Sequence, residues 1–263
     1  MSRLHLLELH EQPWCPTLLR DSVTELLRLF AEVGGTYRPV LTKLTRATQA
    51  SGAHRIVDLC AGAGGPWSSL LPHVPESIET VVLTDLYPSR TAAERAAANS
   101  GGRIRFHHES VDAAKVAPAL DGFRTMFTSF HHFRPEQARA ILADAVEHDV
   151  GIAVFEQTER SLAAVARMVA ILPCAALVLT PWVRPWSLGR LFFTYAVPAI
   201  PALLALDGVV SCLRTYSPEE LRALVQSLDA PHYAWEIGVT RGFWTPVTYL
   251  IGHPMRPRGA DRE

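Results

Sequence analysis

Lysine is almost missing from this chain. Only Lys43 and Lys115 stand among its 25 basic residues, and the formal net charge is −1 at pH 7. Binding to nucleic acid leans on neutralising phosphates, so a chain without net positive charge carries no electrostatic pull toward it. Cysteine is scarce as well: Cys15, Cys60, Cys174 and Cys212 are scattered, with neither C-x-x-C nor Cys/His ligand spacing. That pattern points to a reduced, cytoplasmic chain with no metal site. Met1–His10 holds no long apolar core followed by a small-residue cleavage site, so no secretory signal is expected. A membrane-spanning helix needs about 20 apolar residues. The longest apolar runs, Met168–Val183 and Leu191–Leu206, have 16 residues each and are interrupted by proline.

What is present is a large apolar content, 48% of 263 residues, enough for a two-sided core in one α/β domain with a sizeable insertion. The stretch around which the chain is organised is Ile56-Val57-Asp58-Leu59-Cys60-Ala61-Gly62-Ala63-Gly64-Gly65-Pro66-Trp67. A short apolar run ending in glycines and then a proline reads as a buried parallel strand, a tight loop and a helix start. Glycines without Cβ let backbone approach a ligand, and the following helix offers unpaired N–H groups. No lysine follows these glycines, which excludes the phosphate loop of NTPases. The third glycine of a dinucleotide fingerprint is replaced by Trp67, which argues against a standard NAD site.

The pattern Asp58-x-x-x-Gly62-x-Gly64, with Asp85 ending the next strand, resembles the class I S-adenosylmethionine-dependent methyltransferases over roughly residues 52–157. It departs from them at Cys60, where glycine is common. The resemblance implies a Rossmann-like, doubly wound, mostly parallel seven-stranded α/β sheet and S-adenosyl-L-methionine as cofactor. It also implies cofactor contacts from Asp58, Gly62, Ala63, Gly64, Gly65, Asp85, Leu86, Asp112 and Ser129. The glycine loop would lie against the methionine end, Asp85 on the ribose hydroxyls and Asp112 near the adenine. Turn formation before Pro88 is the alternative for Asp85, and a helix N-cap for Asp112.

The order of elements agrees with such a sheet. Helical periodicity covers Thr17–Val33, stopped by Gly34-Gly35, and then Tyr37–Gln49. Strands are expected at Arg55–Leu59, Glu79–Thr84, Arg103–His107, Phe123–Ser129 and Val150–Phe155, with helices at 89–99 and Pro135–Glu147 between them. Ser217-Pro218-Glu219-Glu220 reads as a capping box opening a helix to Leu228. Two closing strands, Tyr233–Val239 and Pro246–Gly252, end the pattern. The expected divisions are an N-terminal helical cap (1–50), a cofactor core (51–160), an apolar helical insertion after strand five (161–206) and the closing helix and strands (207–263). Residues 1–16 read as an irregular arm.

His131 and His132 leave strand four where ligands bind in open α/β sheets, and a near-neutral imidazole suits a general base. Cofactor or substrate contact, and a purely structural role, are the other readings; no third metal ligand stands near them in sequence. Candidates for substrate contact are Glu156 (with Gln157) after strand five, Trp182 and Trp186 in the insertion, and Arg214, Tyr216, Arg241 and Trp244 near the resumed core. The insertion is expected to be a lid over an apolar small-molecule pocket. Peripheral membrane contact or a homodimer interface accounts for the same surface. The expected activity is methyl transfer to an oxygen or nitrogen of a small, apolar or aromatic molecule. The rivals are an RNA methyltransferase, which would want a lysine-rich face, and an inactive methyltransferase-fold binding protein.

Overall fold

A computed structural model describes residues 1–62, 64–88, 97–98, 100–242 and 245–255. Seven strands form one sheet: β1 (Arg55–Asp58), β2 (Thr80–Leu83), β3 (Ile104–Phe106), β4 (Phe123–Phe127), β5 (Ile152–Glu156), β6 (Tyr233–Arg241) and β7 (Pro246–Pro254). Their spatial order is β3-β2-β1-β4-β5-β7-β6. β1 through β5 pair in parallel, while β7 runs antiparallel between β5 and β6. This is the doubly wound sheet expected from the sequence. The strand order reverses at β1 and β4, so their C-terminal ends flank the crevice in which such sheets hold ligands.

Pleating sends alternate residues to opposite faces. On β1, Ile56 joins a core cluster with Val40, Leu44 and Trp67, while Val57 joins another with Met126, Ile141 and Leu142. The first face is covered by α2 (Leu41–Ala50) and the short α3 (Trp67–Leu70). The second is covered by α4 (Pro135–Glu147) and α8 (Pro218–Gln226). The helix expected from Pro66 is only one turn of α3 and one of 3₁₀ helix, Leu71–His73; Pro72 supplies no N–H for continuation. The helix expected over 89–99 falls largely outside the described residues. At α8 the capping box forms in both directions: Glu220 N donates to Ser217 Oγ at 3.3 Å and Ser217 N to Glu220 Oε2 at 2.8 Å.

A third core lies off the sheet. There α1 (Thr17–Val33) packs with two insertion helices, α5 (Leu162–Leu179) and α7 (Ala199–Arg214), through Val23, Leu26, Ala164, Leu172, Ile200 and Leu204. Between them come α6 (Leu188–Leu191) and a π turn, Phe192–Ala196. Two sequence expectations change here. Pro173 does not interrupt the first apolar run, because α5 continues through it. The division expected at 206 falls inside α7, so insertion and resumed core share one continuous helix.

The N-terminal arm is irregular but fixed. Leu4 N donates to Leu213 O at 3.0 Å, and Arg3 reaches the carbonyls of Arg214, His131 and Phe133. It straps α7 to the turn that follows β4.

Candidate active site

The loop after β1 is shaped by positive backbone φ: +58° at Cys60, +50° at Gly62, +110° at Gly64 and +57° at Gly65. Ladder-like bonds seat it, Leu59 N to Thr125 O at 2.8 Å and Ala61 N to Thr84 O at 2.9 Å. Asp85, at the end of β2, accepts from Gly62 N at 2.9 Å through Oδ2 and from Tyr87 N at 2.8 Å through Oδ1. A carboxylate has about four lone-pair sites, so two remain for hydroxyl donors. Asp85 thus joins the glycine loop to the loop after β2, where Leu86 is exposed.

Asp58 lies beneath the loop. It is buried and accepts from Thr125 Oγ1 at 2.6 Å. Burial, together with the nearby Asp85 charge and against the Thr125 bond, pushes its carboxyl up to about 7. A Cβ at Gly65 would come within 2.9 Å of Asp58 Oδ2, whereas one at Gly62 would meet nothing within 4 Å. Asp58 therefore shapes the cradle from below, and Gly62 faces open space. Asp112 is exposed, and its Oδ1 accepts from Ala114 N at 2.9 Å in a turn; no helix follows, so it does not serve as the N-cap that was its alternative. Ser129 Oγ is buried without a hydrogen-bond partner. Ala63 lies outside the described residues.

The loop opens into a cleft of about 210 Å³ between the C-terminal ends of β1 and β4 and the α1–α5–α7 core. Cys60, Gly62 and Gly65 form one wall, and Tyr37, Phe127 and Thr128 the floor. Leu27 and Phe30 of α1, Met168 and Leu172 of α5, and Leu204 of α7 form an apolar roof. Gln157 borders the cleft, and its Oε1 is buried without a partner, an acceptor to which a ligand N–H can donate. The glycine loop, the Asp85 carboxylate bonded to it and the unpaired Gln157 acceptor have the chemistry to hold a nucleoside beside an apolar cleft.

The acid–base pair in this cleft is one the sequence reading missed. His10 Nδ1 lies 2.7 Å from Asp207 Oδ2, and both residues line the cleft. Asp207 also accepts from Leu9 N at 2.7 Å and His10 N at 3.0 Å, fixing the arm on α7. Burial alone would lower the proton affinity of His10, but Asp207, Glu8 and Glu11 raise it above the ordinary imidazole value. The sole local hint was a polar Glu8-x-His10-Glu11 directly after the apolar Leu6-Leu7 pair.

His131 and His132 do not line the cleft. The 3₁₀ turn Phe130–His132 directs His131 inward, where its side chain is 1% exposed. Its Nδ1 sits 2.7 Å from Glu156 Oε2 and its Nε2 3.4 Å from Glu8 Oε1. Burial opposes the imidazolium, but these two carboxylates raise His131 to about 10. A ring that keeps its proton at neutral pH cannot take another, so the general-base expectation for His131 is corrected. His132 Nδ1 lies 2.8 Å from Glu11 Oε1, outside the cleft. Glu8 supplies the third donor absent from the local sequence, bringing three ligand atoms within 4.8 Å of one another. The Arg214 guanidinium, 3.4 Å from both Glu8 Oε1 and Glu11 Oε2, and the protonated His131 ring offset these carboxylates, and the cluster is an ion-pair network.

The substrate-contact expectations are corrected in the same way. Glu156 is occupied by His131. Arg214 is buried and donates to His132 O at 3.0 Å, while Tyr216 OH donates to Phe133 O at 2.8 Å beneath Arg3. Trp182 and Trp186 stand on the outer surface, 64% and 63% exposed. Arg241 is exposed at the end of β6, and Trp244 lies outside the described residues. None of the described ones lines the cleft.

No family model matches this sequence, and no curated relative does. Solved structures are similar in fold. The plantazolicin methyltransferase BpumL, in complex with S-adenosylhomocysteine, aligns with TM-score 0.55 at 10% identity over 94% of this chain and 95% of that one. The O-methyltransferase NcsB1 of neocarzinostatin biosynthesis, bound to S-adenosylhomocysteine and 1,4-dihydroxy-2-naphthoic acid, aligns with TM-score 0.52 at 16% identity over 89% of this chain. This chain spans 58% of the length of NcsB1. The methyltransferase domain of bacterial CtHen1 aligns with TM-score 0.50 at 13% identity over 83% of this chain and 99% of that one. The chain has the class I methyltransferase fold.

Proposed function

We propose that this protein is an S-adenosylmethionine-dependent methyltransferase acting on a hydroxyl of a small apolar or aromatic molecule. The observation that carries the reading is the junction of a positive-φ glycine cradle with an apolar cleft bordered by the His10–Asp207 pair. Structures of the same fold are complexes with S-adenosylhomocysteine, and that of NcsB1 also holds 1,4-dihydroxy-2-naphthoic acid, which supports the reading.

Gly62, Gly64 and Gly65 would hold the cofactor backbone, with Asp85 on its ribose hydroxyls. S-adenosylmethionine, when bound, supplies an electrophilic methyl group. The chain's own contribution is then mainly positioning, since alignment of donor and acceptor dominates such transfers. The roof of Phe30, Met168, Leu172 and Leu204 excludes water and seats the apolar acceptor. His10, oriented through Nδ1 by Asp207, uses its remaining nitrogen, Nε2, to take the proton from the acceptor hydroxyl.

Calorimetric titration tests the cofactor half. Wild type should bind S-adenosylmethionine and S-adenosylhomocysteine, and Asp85→Ala should weaken both by about 10- to 100-fold, the worth of hydrogen bonds to a charged group. Unchanged affinity in the variant would remove the ribose assignment; no binding by wild type would remove the cofactor.

A further inference from the structure

We infer that the outer face of the insertion helices seats on the surface of an anionic lipid bilayer. The helix spanning Leu162–Trp182 has mean hydropathy 2.3, yet only 22% of that window is buried. Its inner row, Ala164, Met168, Leu172 and Ala176, is buried against α1 and α7. Its outer row, Leu162, Val169, Leu177 and Val178, is exposed and just as apolar. A helix resting on a soluble core normally turns a polar face to water, and one that is apolar all round has a second apolar environment.

Composition and the residues at one end of this face select the occupant. Between Ser161 and Leu206 there is no aspartate, glutamate or lysine, although the whole chain holds 26 acidic residues; of the three arginines, Arg190 is buried on carbonyls, Arg167 lies 3.8 Å from Glu159, and Arg184 is exposed. Trp182 and Trp186 stand exposed at the C-terminal end of the stripe, with the Arg184 guanidinium 4.7 Å over the Trp186 ring. Leu188 beyond them is 85% exposed. Amphipathic indoles beside a cation, with no acidic residue among them, suit a headgroup layer carrying negative charge. The helix lies in the interface and does not cross it: its inner row is committed to the protein core, which restricts immersion to one side, about 5–10 Å deep.

The docking reading deepens the proposed function, and rests on it in one respect. Met168 and Leu172, on the inner row of the same helix, roof the cleft. A bilayer on the outer row would therefore place the cleft beside a reservoir of membrane-dissolved acceptors.

The test is flotation of the full chain with vesicles of phosphatidylcholine alone and of phosphatidylcholine with phosphatidylglycerol. Wild type should float with the anionic vesicles and largely remain below with the neutral ones. Leu177→Glu with Val178→Glu should cut partitioning more than about tenfold, since two exposed side chains lose their burial in lipid. Arg184→Glu should narrow the anionic preference about tenfold. All three side chains are exposed, so both variants should retain the wild-type circular dichroism spectrum and S-adenosylhomocysteine binding by calorimetry. Wild type staying below with both vesicle types would overturn the docking, as would a homodimer in light scattering that Leu177→Glu with Val178→Glu converts to monomer. Absence of S-adenosylhomocysteine binding, with flotation intact, would instead overturn the cofactor reading alone.

Discussion

At the scale of single residues, two histidines in the same end of the molecule are set to opposite tasks by their partners. His10 shares its proton with Asp207 on α7 and faces Glu8 and Glu11 on its own arm; Arg20 bonds only its backbone carbonyl. Its raised proton affinity means that the neutral, proton-accepting ring is in the minority at low pH. The methylation rate should therefore rise with pH through a value above 6.5 and level off beyond it. Replacing His10 by Ala should lower kcat by about 10²- to 10⁴-fold and abolish that limb. Asp207→Asn, measured across the same pH series, should move the limb to lower pH. His131 is the reverse case, a proton held for stability. It faces Glu156 from β5, Glu8 from the arm and the His132 ring at 4.2 Å, with Arg214 completing the network from α7. Its folded proton affinity of about 10 exceeds the unfolded value near 6.5, so its stabilisation is complete below pH 6.5 and is lost as pH rises toward 10. His131→Ala takes the cation from buried Glu156 and one of the two cations from buried Glu8, which keeps Arg214, and should cost about 3–5 kcal/mol in urea unfolding at neutral pH. A variant as stable as wild type, or a pH dependence that survives the substitution, would contradict the assignment.

At the scale of elements, the glycine loop separates backbone demand from space. Gly62 and Gly65 both need positive φ, at +50° and +57°, but only Gly65 has a neighbour inside contact distance, Asp58 Oδ2 at 2.9 Å. Gly62→Ala should cost about 1–2 kcal/mol from the left-handed backbone alone. Gly65→Ala adds a collision with a carboxylate locked to Thr125, so thermal melting should fall further and S-adenosylhomocysteine affinity should drop more. Equal effects in the two variants would mean that Asp58 yields. This loop was legible in the sequence because its signals are local: an apolar strand, glycines at fixed offsets and Asp85 at the next strand end. The capping box of α8 was legible for the same reason. The turn after β4 was located correctly but its side chains were not, because position at a strand end does not specify which way a 3₁₀ turn points its rings. Arg214 and Tyr216 were noticed as polar groups near the core, yet both are used on the carbonyls of that same turn.

At the scale of the whole molecule, the cleft lies between two separately built bodies, the sheet with its flanking helices and the α1–α5–α7 core. The ties between them come from the start of the chain. Glu8 and Asp207 are buried and meet groups more than 120 residues distant in sequence, and the His10–Asp207 pair spans 197 residues. Nothing periodic or composite marks such a pair, which explains why the sheet could be read from the sequence and the acid–base site could not. The arm was expected to be irregular because it lacks helical or strand patterning; it is irregular, and its order comes from ion pairs and carbonyl bonds to residues distant in sequence. Removal of residues 1–11 should therefore do more than delete His10. It strips Glu8 from His131 and Arg214, Arg3 from three carbonyls, and both backbone donors from Asp207. Losing a buried ion-pair partner costs about 3–5 kcal/mol, and a domain of this size shifts by about 2–4 °C per kcal/mol, so melting should fall by roughly 10 °C. The single change His10→Ala spares Glu8 and Arg3 and should shift melting far less while abolishing the rate limb. Calorimetric melting of both proteins, with and without S-adenosylhomocysteine, separates the two roles: the truncation should regain stability on adding ligand only if the cleft still closes on it without the strap.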